Sequence, residues 1–252
     1  MEKISTEDSG AVAAEAKLSD EVTERKQAIQ GMFNAIAHRY DLLNHLLSAG
    51  IDVYWRRRAL GMVRQSPRHI LDLATGTGDF ALAARRLQPE CIVGADVALA
   101  MVRVGVPKVA AAGVGAPIHL LGGDAEGLPF RDESFDLVTA AFGVRNFGHI
   151  PAGLAEARRV LRPGGELLIL DFAEPTAFGF RQCYRFYFKH VLPRVGGWIS
   201  GNRKAYAYLP HSVGTFPQGE AFLQLLVEAG FTDNRHVSLT LGISAVYQGI
   251  RR

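Results

Sequence analysis

The chain has 252 residues, 48% of them hydrophobic, 21% charged and 9% aromatic, with a formal net charge of +3. That composition is ordinary for a globular protein and excludes a collagen, a low-complexity chain and a disulfide scaffold; the small charge and the lack of a basic stripe argue against a nucleic-acid partner. Isolated Cys91 and Cys183 form no metal or redox pair and fit a reducing compartment, no apolar run reaches the ~18 residues of a membrane span, and the acidic first twenty residues do not read as a signal peptide.

Residues 1–20 are rich in Ala, Glu, Ser and Asp and read as a mobile tail or a loose helix. From 21 to 62, Val22, Ile29, Met32, Phe33, Ile36 and Ala37 recur at helical spacing, and Leu42, Leu43, Leu46 and Leu47 form another apolar face. Two or three short helices, broken around Ser48-Ala49-Gly50, are predicted to make a cap. His69 to Leu73 then reads as a buried strand and Phe80 to Leu87 as a helix. Cys91 to Asp96 is a second strand, followed by a helix from Leu99 to Ala112. Pro117 to Leu121 and Phe135 to Ala140 are the third and fourth strands. A helix from Ala152 to Leu161 is stopped by Arg162-Pro163-Gly164-Gly165, and Glu166 to Asp171 is the fifth strand. Such alternation makes parallel βαβ units. Gln218 to Ala229 reads as an amphipathic helix. His236 to Leu241 and Ser244 to Arg251 read as two strands around Gly242, antiparallel because their connection is short. The expected fold is α/β: a doubly wound, mostly parallel, seven-stranded sheet with an antiparallel C-terminal strand. Residues 21–252 make one domain, with a helical cap over 21–62 and an insertion over 172–217.

The insertion fits no βα unit. Phe172, Phe178, Phe180, Tyr184, Phe186, Tyr187, Phe188 and Trp198 crowd into 27 residues. Two readings stand: the aromatics pack on the core, or they form an apolar cover for a greasy substrate. Arg56-Arg57-Arg58 likewise reads either as a solvated helix face or as a contact for anionic lipid.

Leu71-Asp72-Leu73-Ala74-Thr75-Gly76-Thr77-Gly78-Asp79 joins the first strand to the first helix after it. Gly76 and Gly78 let the backbone turn tightly and approach a ligand. Asp96 ends the next strand 18 residues after Gly78, the separation at which a carboxylate bridges ribose hydroxyls in a doubly wound fold. A nucleoside-like cofactor follows. Asp72 would repel a pyrophosphate but suits the cationic amino-acid part of S-adenosylmethionine, or else it caps nearby backbone N–H groups. About 60 residues of cap precede the first strand, unlike many dinucleotide domains, so S-adenosylmethionine is expected rather than NAD.

Several segments carry a narrower resemblance, from about Gln30 to Arg251. They are Phe33 to Ala37 leading into Tyr40-Asp41-Leu42-Leu43-Asn44, Ser48-Ala49-Gly50 leading to Trp55, the glycine loop, and Gly123-Asp124-Ala125-Glu126-Gly127-Leu128-Pro129-Phe130. Ala141-Phe142-Gly143-Val144-Arg145-Asn146, Arg159 to Gly165, His190 to Pro193, and Tyr208-Leu209 with Ser212, Phe216 and Pro217 complete the set. With them the chain resembles class I S-adenosylmethionine-dependent methyltransferases. It is most similar to the quinone-biosynthesis C-methyltransferases that act on demethylmenaquinone and, in some organisms, on a ubiquinone precursor. Asp52 departs from a usual His, Leu43 from Met, Asp124 from a common Asn, and Ala141 from a Ser that often contacts the cofactor.

The resemblance implies C-methylation of a prenylated hydroquinone, demethylmenaquinol first, with a methoxy-polyprenyl-benzoquinol or another hydrophobic small molecule as alternatives. It implies S-adenosylmethionine held by Asp72, Gly76, Thr77, Gly78, Asp96, Asp124 and Ala125, and no metal. Arg145, Asn146 and Tyr40 are the implied catalytic group. Arg145 stays cationic, so it stabilises a phenolate or orients a water rather than acting as the base; the competing reading is that it pairs with a carboxylate and fixes its loop. Tyr40 and Asp41 alternatively lock the N-terminal helices, and His149, His190 and His211 are alternative bases. A cytoplasmic protein in transient contact with the inner face of the membrane is expected, with the oligomeric state open, a homodimer included.

Overall fold

The computed structural model describes residues 22–48, 50–187, 190 and 203–252. The predicted tail, Trp198 and the Val191 to Pro193 segment lie outside them. The predicted cap is a helix α1 over 22–36, a 3-10 turn Ala37–Arg39, α2 (Tyr40–Leu47) and α3 (Ile51–Leu60). Gly50, at φ +76°, makes the sharp break between the last two. Ile29, Ile36 and Ala37 are buried as their spacing requires, whereas Leu42 is exposed.

The sheet order is β3-β2-β1-β4-β5-β7-β6. Its strands are β1 (His69–Leu73), β2 (Cys91–Asp96), β3 (Ile118–Gly122), β4 (Phe135–Ala141), β5 (Leu161–Phe172), β6 (Phe231–Leu239) and β7 (Ser244–Arg251). All neighbours pair in parallel except β7, which runs antiparallel to both β5 and β6. The further α-helices among the described residues are α4 (Asp79–Ala84), α5 (Leu99–Ala111), α6 (Ile150–Val160), α7 (Phe178–Phe186), α8 (Arg203–Thr215) and α9 (Glu220–Glu228).

The central strands are covered on both faces, which is why they read as unbroken apolar runs. In β1 every residue after His69 is buried, and in β7 the first six are. One core cluster gathers Leu71, Leu73, Val138, Leu154, Phe222 and Tyr247; another gathers Trp55, Leu60, Ile70, Phe80, Leu137 and Leu168. The second cluster ties the cap to the sheet, because Trp55 packs against Phe142 and Phe172 and its Nε1 donates to Thr240 Oγ1 at 2.7 Å.

Two boundaries differ most from the sequence reading. β5 begins at Leu161, and the Arg162 to Gly165 stretch is a bulge within it: Phe135 pairs with Leu161 but Leu137 pairs with Glu166. A Pro-Gly-Gly run stops a helix without ending the strand that follows. β6 begins at Phe231 rather than His236. It is an edge strand buried only at its two ends, Phe231 and Leu239, and half-buried or exposed between them, and polar Thr232 to Arg235 conceal it. Sheet order reverses between β1 and β4, so the loops after β1, β2, β3 and β4 converge at one carboxyl-end crevice, the usual ligand position in an open α/β sheet.

Candidate active site

The loop after β1 is built around two buried carboxylates. Asp72 is fully buried and accepts from the Thr75 hydroxyl at 2.6 Å and the Thr139 hydroxyl at 2.7 Å. Asp96 accepts from the Gly76 amide through one oxygen, at 2.8 Å, and from the Ala98 amide through the other, at 2.7 Å. Gly76 sits at φ +58°, and a Cβ there would point between Met101 and Tyr40. So the loop needs the freedom of glycine to present its backbone to the crevice.

Neither carboxylate has an ion-pair partner among the described residues. Burial pushes Asp96 above the usual carboxylate range, against its two backbone hydrogen bonds. Burial pushes Asp72 up to about 6, against the Thr75 and Thr139 hydroxyls. The raised folded value means that the native state binds the proton more tightly than the unfolded chain. Stability is therefore lost as pH rises from about 4 to about 6, and the cost, on the order of 3 kcal/mol, is complete above that. Asp72→Asn is expected to be about 1–3 kcal/mol more stable than wild type at pH 7.5 and equal to it near pH 4. Urea unfolding at the two pH values checks this, and a difference independent of pH would refute it. A charge maintained at that cost suits a cationic ligand group that offsets it.

The crevice divides into three adjoining spaces. One is lined by Ile29, Phe33, Gly76, Asp96, Val97, Met101, Asp124, Ala125 and Asn146. It fits a nucleoside: apolar walls for a flat base and the Asp96 carboxylate for a diol. Asp124 already holds Lys26 of α1 at 2.5 Å and the Glu126 amide at 3.0 Å. Lys26, which also lies 3.1 Å from Glu126, lays α1 across this end, and the sequence carries no local signal for it.

A second, small space at the other end of the loop is lined by Arg56, Asp72, Thr75, Gly76, Thr77 and Asp79. Thr77 donates to Asp41 at 2.5 Å, and Lys108 donates to Asp41 at 2.6 Å and to Asp79. Asp41 thus locks α2 onto the glycine loop, as one of the two readings had it.

The third space is a chamber of about 410 Å³. Its walls include Phe33, Ile36, Trp55, Phe142, Phe172, Phe180, Tyr184, Tyr187, Leu209 and Ile243. Four of the crowded aromatics therefore line this chamber, while Phe186 is exposed; the side chain of Phe178, and Phe188 and Trp198, lie outside the description. Tyr40 borders all three spaces. Burial raises its phenol above the usual range, against a hydrogen bond with Asn44 and the fields of Arg145 and Arg56. It therefore stays protonated at neutral pH.

Arg145 projects into the chamber while paired with fully buried Asp171 at 2.7 Å, and it donates to the Phe142 carbonyl. Its guanidinium lies 5.2 Å from the centre of the Phe172 ring, and its Nε is buried with no partner. The carboxylate pairing is thus seen, and the paired guanidinium also lines the chamber. Asn146 faces the nucleoside space, and its Oδ1 accepts from the Tyr208 hydroxyl at 3.1 Å. The three candidate histidines line none of these spaces; His149 caps α6 by accepting from the Ala152 amide. Among the described residues no group of His, Cys, Asp and Glu is arranged to hold a metal.

The basic triplet is divided by its helix. Arg56 is buried beside Asp52, whereas Arg57 and Arg58 are exposed. Asp52, Trp55, Arg56, Ala59 and Leu60 have the i, i+3, i+4, i+7, i+8 spacing of a core-facing stripe, a signal that places Arg56 inward. Asp52, which replaces the usual His, takes the Arg56 guanidinium, the Ser48 hydroxyl at 2.6 Å and His45 at 3.0 Å.

Comparison with known proteins bears on the family and the fold. A demethylmenaquinone methyltransferase of Deinococcus radiodurans is 46% identical over 231 residues, covering 91% of this chain and 95% of that one. One of Thermus thermophilus is 48% identical over 222 residues, covering 87% and 100%. The ubiquinone/menaquinone biosynthesis C-methyltransferase of Geotalea daltonii is 46% identical over 231 residues, covering 90% and 98%. In fold, the crystal structure of a SAM-dependent methyltransferase from Thermotoga maritima superposes with a TM-score of 0.64 at 20% identity, covering 88% and 99%. With the ubiE/COQ5 methyltransferase model matching residues 20–251, and relatives this similar along nearly their whole length, the chain belongs to the ubiE/COQ5 methyltransferase family.

Proposed function

We propose that this protein methylates a ring carbon of a prenylated hydroquinone with S-adenosylmethionine, and that demethylmenaquinol is its acceptor. The observation that carries the reading is the aromatic chamber, with a buried cation at its wall, opening beside the nucleoside space across Tyr40. When bound, S-adenosylmethionine supplies a methyl group made electrophilic by its sulfonium. Asp96 suits the ribose hydroxyls, Asp124 and the Ala125 backbone the adenine, and Asp72 the ammonium; Gly76, Thr77 and Gly78 bring the loop backbone close.

In the chamber, Arg145 holds negative charge on the ring oxygen next to the reacting carbon, which makes that carbon nucleophilic. Asp171 and the Phe142 carbonyl fix the guanidinium in place, so no reorganisation is needed as the charge develops. Tyr40 offers a hydroxyl between donor and acceptor, and Asn146, steadied by Tyr208, borders the donor side. The aromatic walls exclude water and set the flat ring. The test is a quinone extract from cells lacking this protein, analysed by mass. Accumulated demethylmenaquinone, reversed by restoring the gene, supports the reading; an unchanged quinone pool overturns it. A methoxy-polyprenyl-benzoquinol is the second acceptor to look for, since the Geotalea daltonii relative carries both quinones in its name.

A polyprenyl tail calls for contact with a membrane surface, and no helix among the described residues is long and apolar enough to cross one. The outward face of α3 presents Val53, Tyr54, Arg57 and Arg58 together, an apolar pair flanked by cations. Wild type is expected to sediment with anionic vesicles. A V53S/Y54S/R57Q/R58Q variant is expected to lose at least tenfold in vesicle affinity while keeping its turnover of a tail-less quinol; unchanged sedimentation would refute the surface assigned here.

A further inference from the structure

Arg56 has a use beyond the salt bridge that holds it. Its side chain is buried, and it borders both the chamber and the small space at the glycine-loop end, where it is the one cationic side chain among the described lining residues. Its donors are unevenly used. Nη1 is anchored on Asp52. Nη2 stands 3.7 Å from an Asp79 oxygen, an ion-pair distance rather than a hydrogen bond. Nε is buried with no partner. The guanidinium is held from below by Asp52 and covered on one side by the Phe142 ring, 5.5 Å from its carbon to the ring centre. Its Nε–Nη2 edge is the fork that receives a carboxylate bidentately.

The other groups around that small space define the rest of the ligand. Asp72 and Asp79 are the carboxylates there, beside the Thr75 and Thr77 hydroxyls. Asp79 is already engaged by Lys108 and Arg56, whereas Asp72 has no ion-pair partner among the described residues, so the space offers an anion receptor and one unpaired carboxylate, the two groups that an amino acid's carboxylate and ammonium require. The space meets the nucleoside space at Tyr40, Ala74, Gly76, Ala141 and Phe142.

We infer that Arg56 is the receptor for the carboxylate of the amino-acid portion of the methyl donor, an inference that rests on the cofactor reading above. Arg145 borders the chamber but not this small space, so the two buried guanidiniums divide the work: Arg145 faces the acceptor and Arg56 the donor. No bond is made or broken at Arg56; it is a binding residue.

Calorimetry tests this with three ligands: S-adenosylhomocysteine, its decarboxylated analogue, and 5′-methylthioadenosine, which lacks the amino-acid portion. Wild type should bind S-adenosylhomocysteine at least tenfold more tightly than the decarboxylated analogue. Arg56→Lys keeps a charge for Asp52 but loses the fork. It should lose about tenfold to hundredfold in affinity for S-adenosylhomocysteine and keep wild-type affinity for 5′-methylthioadenosine, which also shows that the site is folded. Arg56→Met should lose as much or more by the same comparison. Equal wild-type affinity for the parent and decarboxylated ligands overturns the inference without any variant. So does an Arg56→Lys protein whose quinol KM rises while S-adenosylhomocysteine binding is unchanged, which would place Arg56 on the acceptor. Failure of wild type to bind any of the three ligands would instead overturn the cofactor reading on which the inference rests.

Discussion

Arg145→Met is expected to lower kcat by about 10²- to 10³-fold, the loss typical when a preorganised charge-stabilising donor is removed from a water-poor site. The same change also leaves Asp171, fully buried, without its cation. Breaking a buried pair from one side costs about 3–5 kcal/mol of stability, because the remaining charge stays desolvated. Lost activity could therefore reflect unfolding alone. A second variant separates the causes. Arg145→Met combined with Asp171→Asn removes both charges while leaving a side-chain oxygen for the Arg145 and Phe172 amides, and is expected to recover most of the stability while staying as inactive as the single variant. Thermal unfolding and single-turnover methyl transfer, measured on both proteins, decide the point. If the double variant regains wild-type turnover, the guanidinium is only a structural pin, and the role assigned to it in the chamber is wrong. Arg145→Lys should fall between, since a point charge meets Asp171 but not the geometry of the planar fork.

Gly143→Ala is expected to weaken S-adenosylhomocysteine binding by about tenfold to hundredfold and to cost about 1–3 kcal/mol of stability, the usual range for overpacking. The loop after β4 crosses the glycine loop at this residue. A Cβ on Gly143 would overlap the Cβ of Ala74, with the Ala74 main chain directly behind it. A methyl on Cα has no rotamer by which to move aside, so the two loops must part. Ala74 is held at φ +49°. Parting the loops shifts Gly76 and its bond to Asp96 on one side, and the Arg145 turn on the other. Both the donor and the acceptor spaces should be affected, and quinol KM should rise with the loss of cofactor affinity. Gly127→Ala is the control. It lies in the same crevice-edge region, yet a Cβ there would meet nothing within 4 Å. Equal binding by the two variants would show that the contact between Gly143 and Ala74 does not set the loop spacing.

The chemistry nearest the sheet was legible in the residues because it is local. Asp72, Gly76 and Gly78 sit within one strand-to-helix turn, and Asp96 ends the neighbouring strand at a separation that the βαβ unit imposes. The eight crowded aromatics pointed to an apolar surface, but spacing alone left open whether it faced the core or a ligand. Phe180, Tyr184 and Tyr187 line the chamber while Phe186 of the same segment is exposed, since a helix sends neighbouring residues in different directions. The β5 and β6 boundaries were hidden for a related reason: a bulge and an edge strand tolerate Pro, Gly and polar residues that an internal ladder does not.

The sequence by itself determined the fold class, the order of its βα units and the glycine loop with its two acids, because each depends on residues within one or two consecutive elements. It also determined the family, through motifs spread over most of the chain. Tertiary structure alone decided which charges meet. Arg145 finds Asp171 across 26 positions, Lys26 finds Asp124 across 98, and Lys108 finds Asp41 across 67. Such pairs leave no pattern in a single sequence, because a guanidinium, an ammonium and a carboxylate look the same whether they face water or one another. Burial distinguishes them. Once the cap closes over the carboxyl ends of the strands, Arg56 is inside and Arg57 and Arg58 are outside, and a triplet that reads as one surface cluster becomes one internal receptor and two external charges.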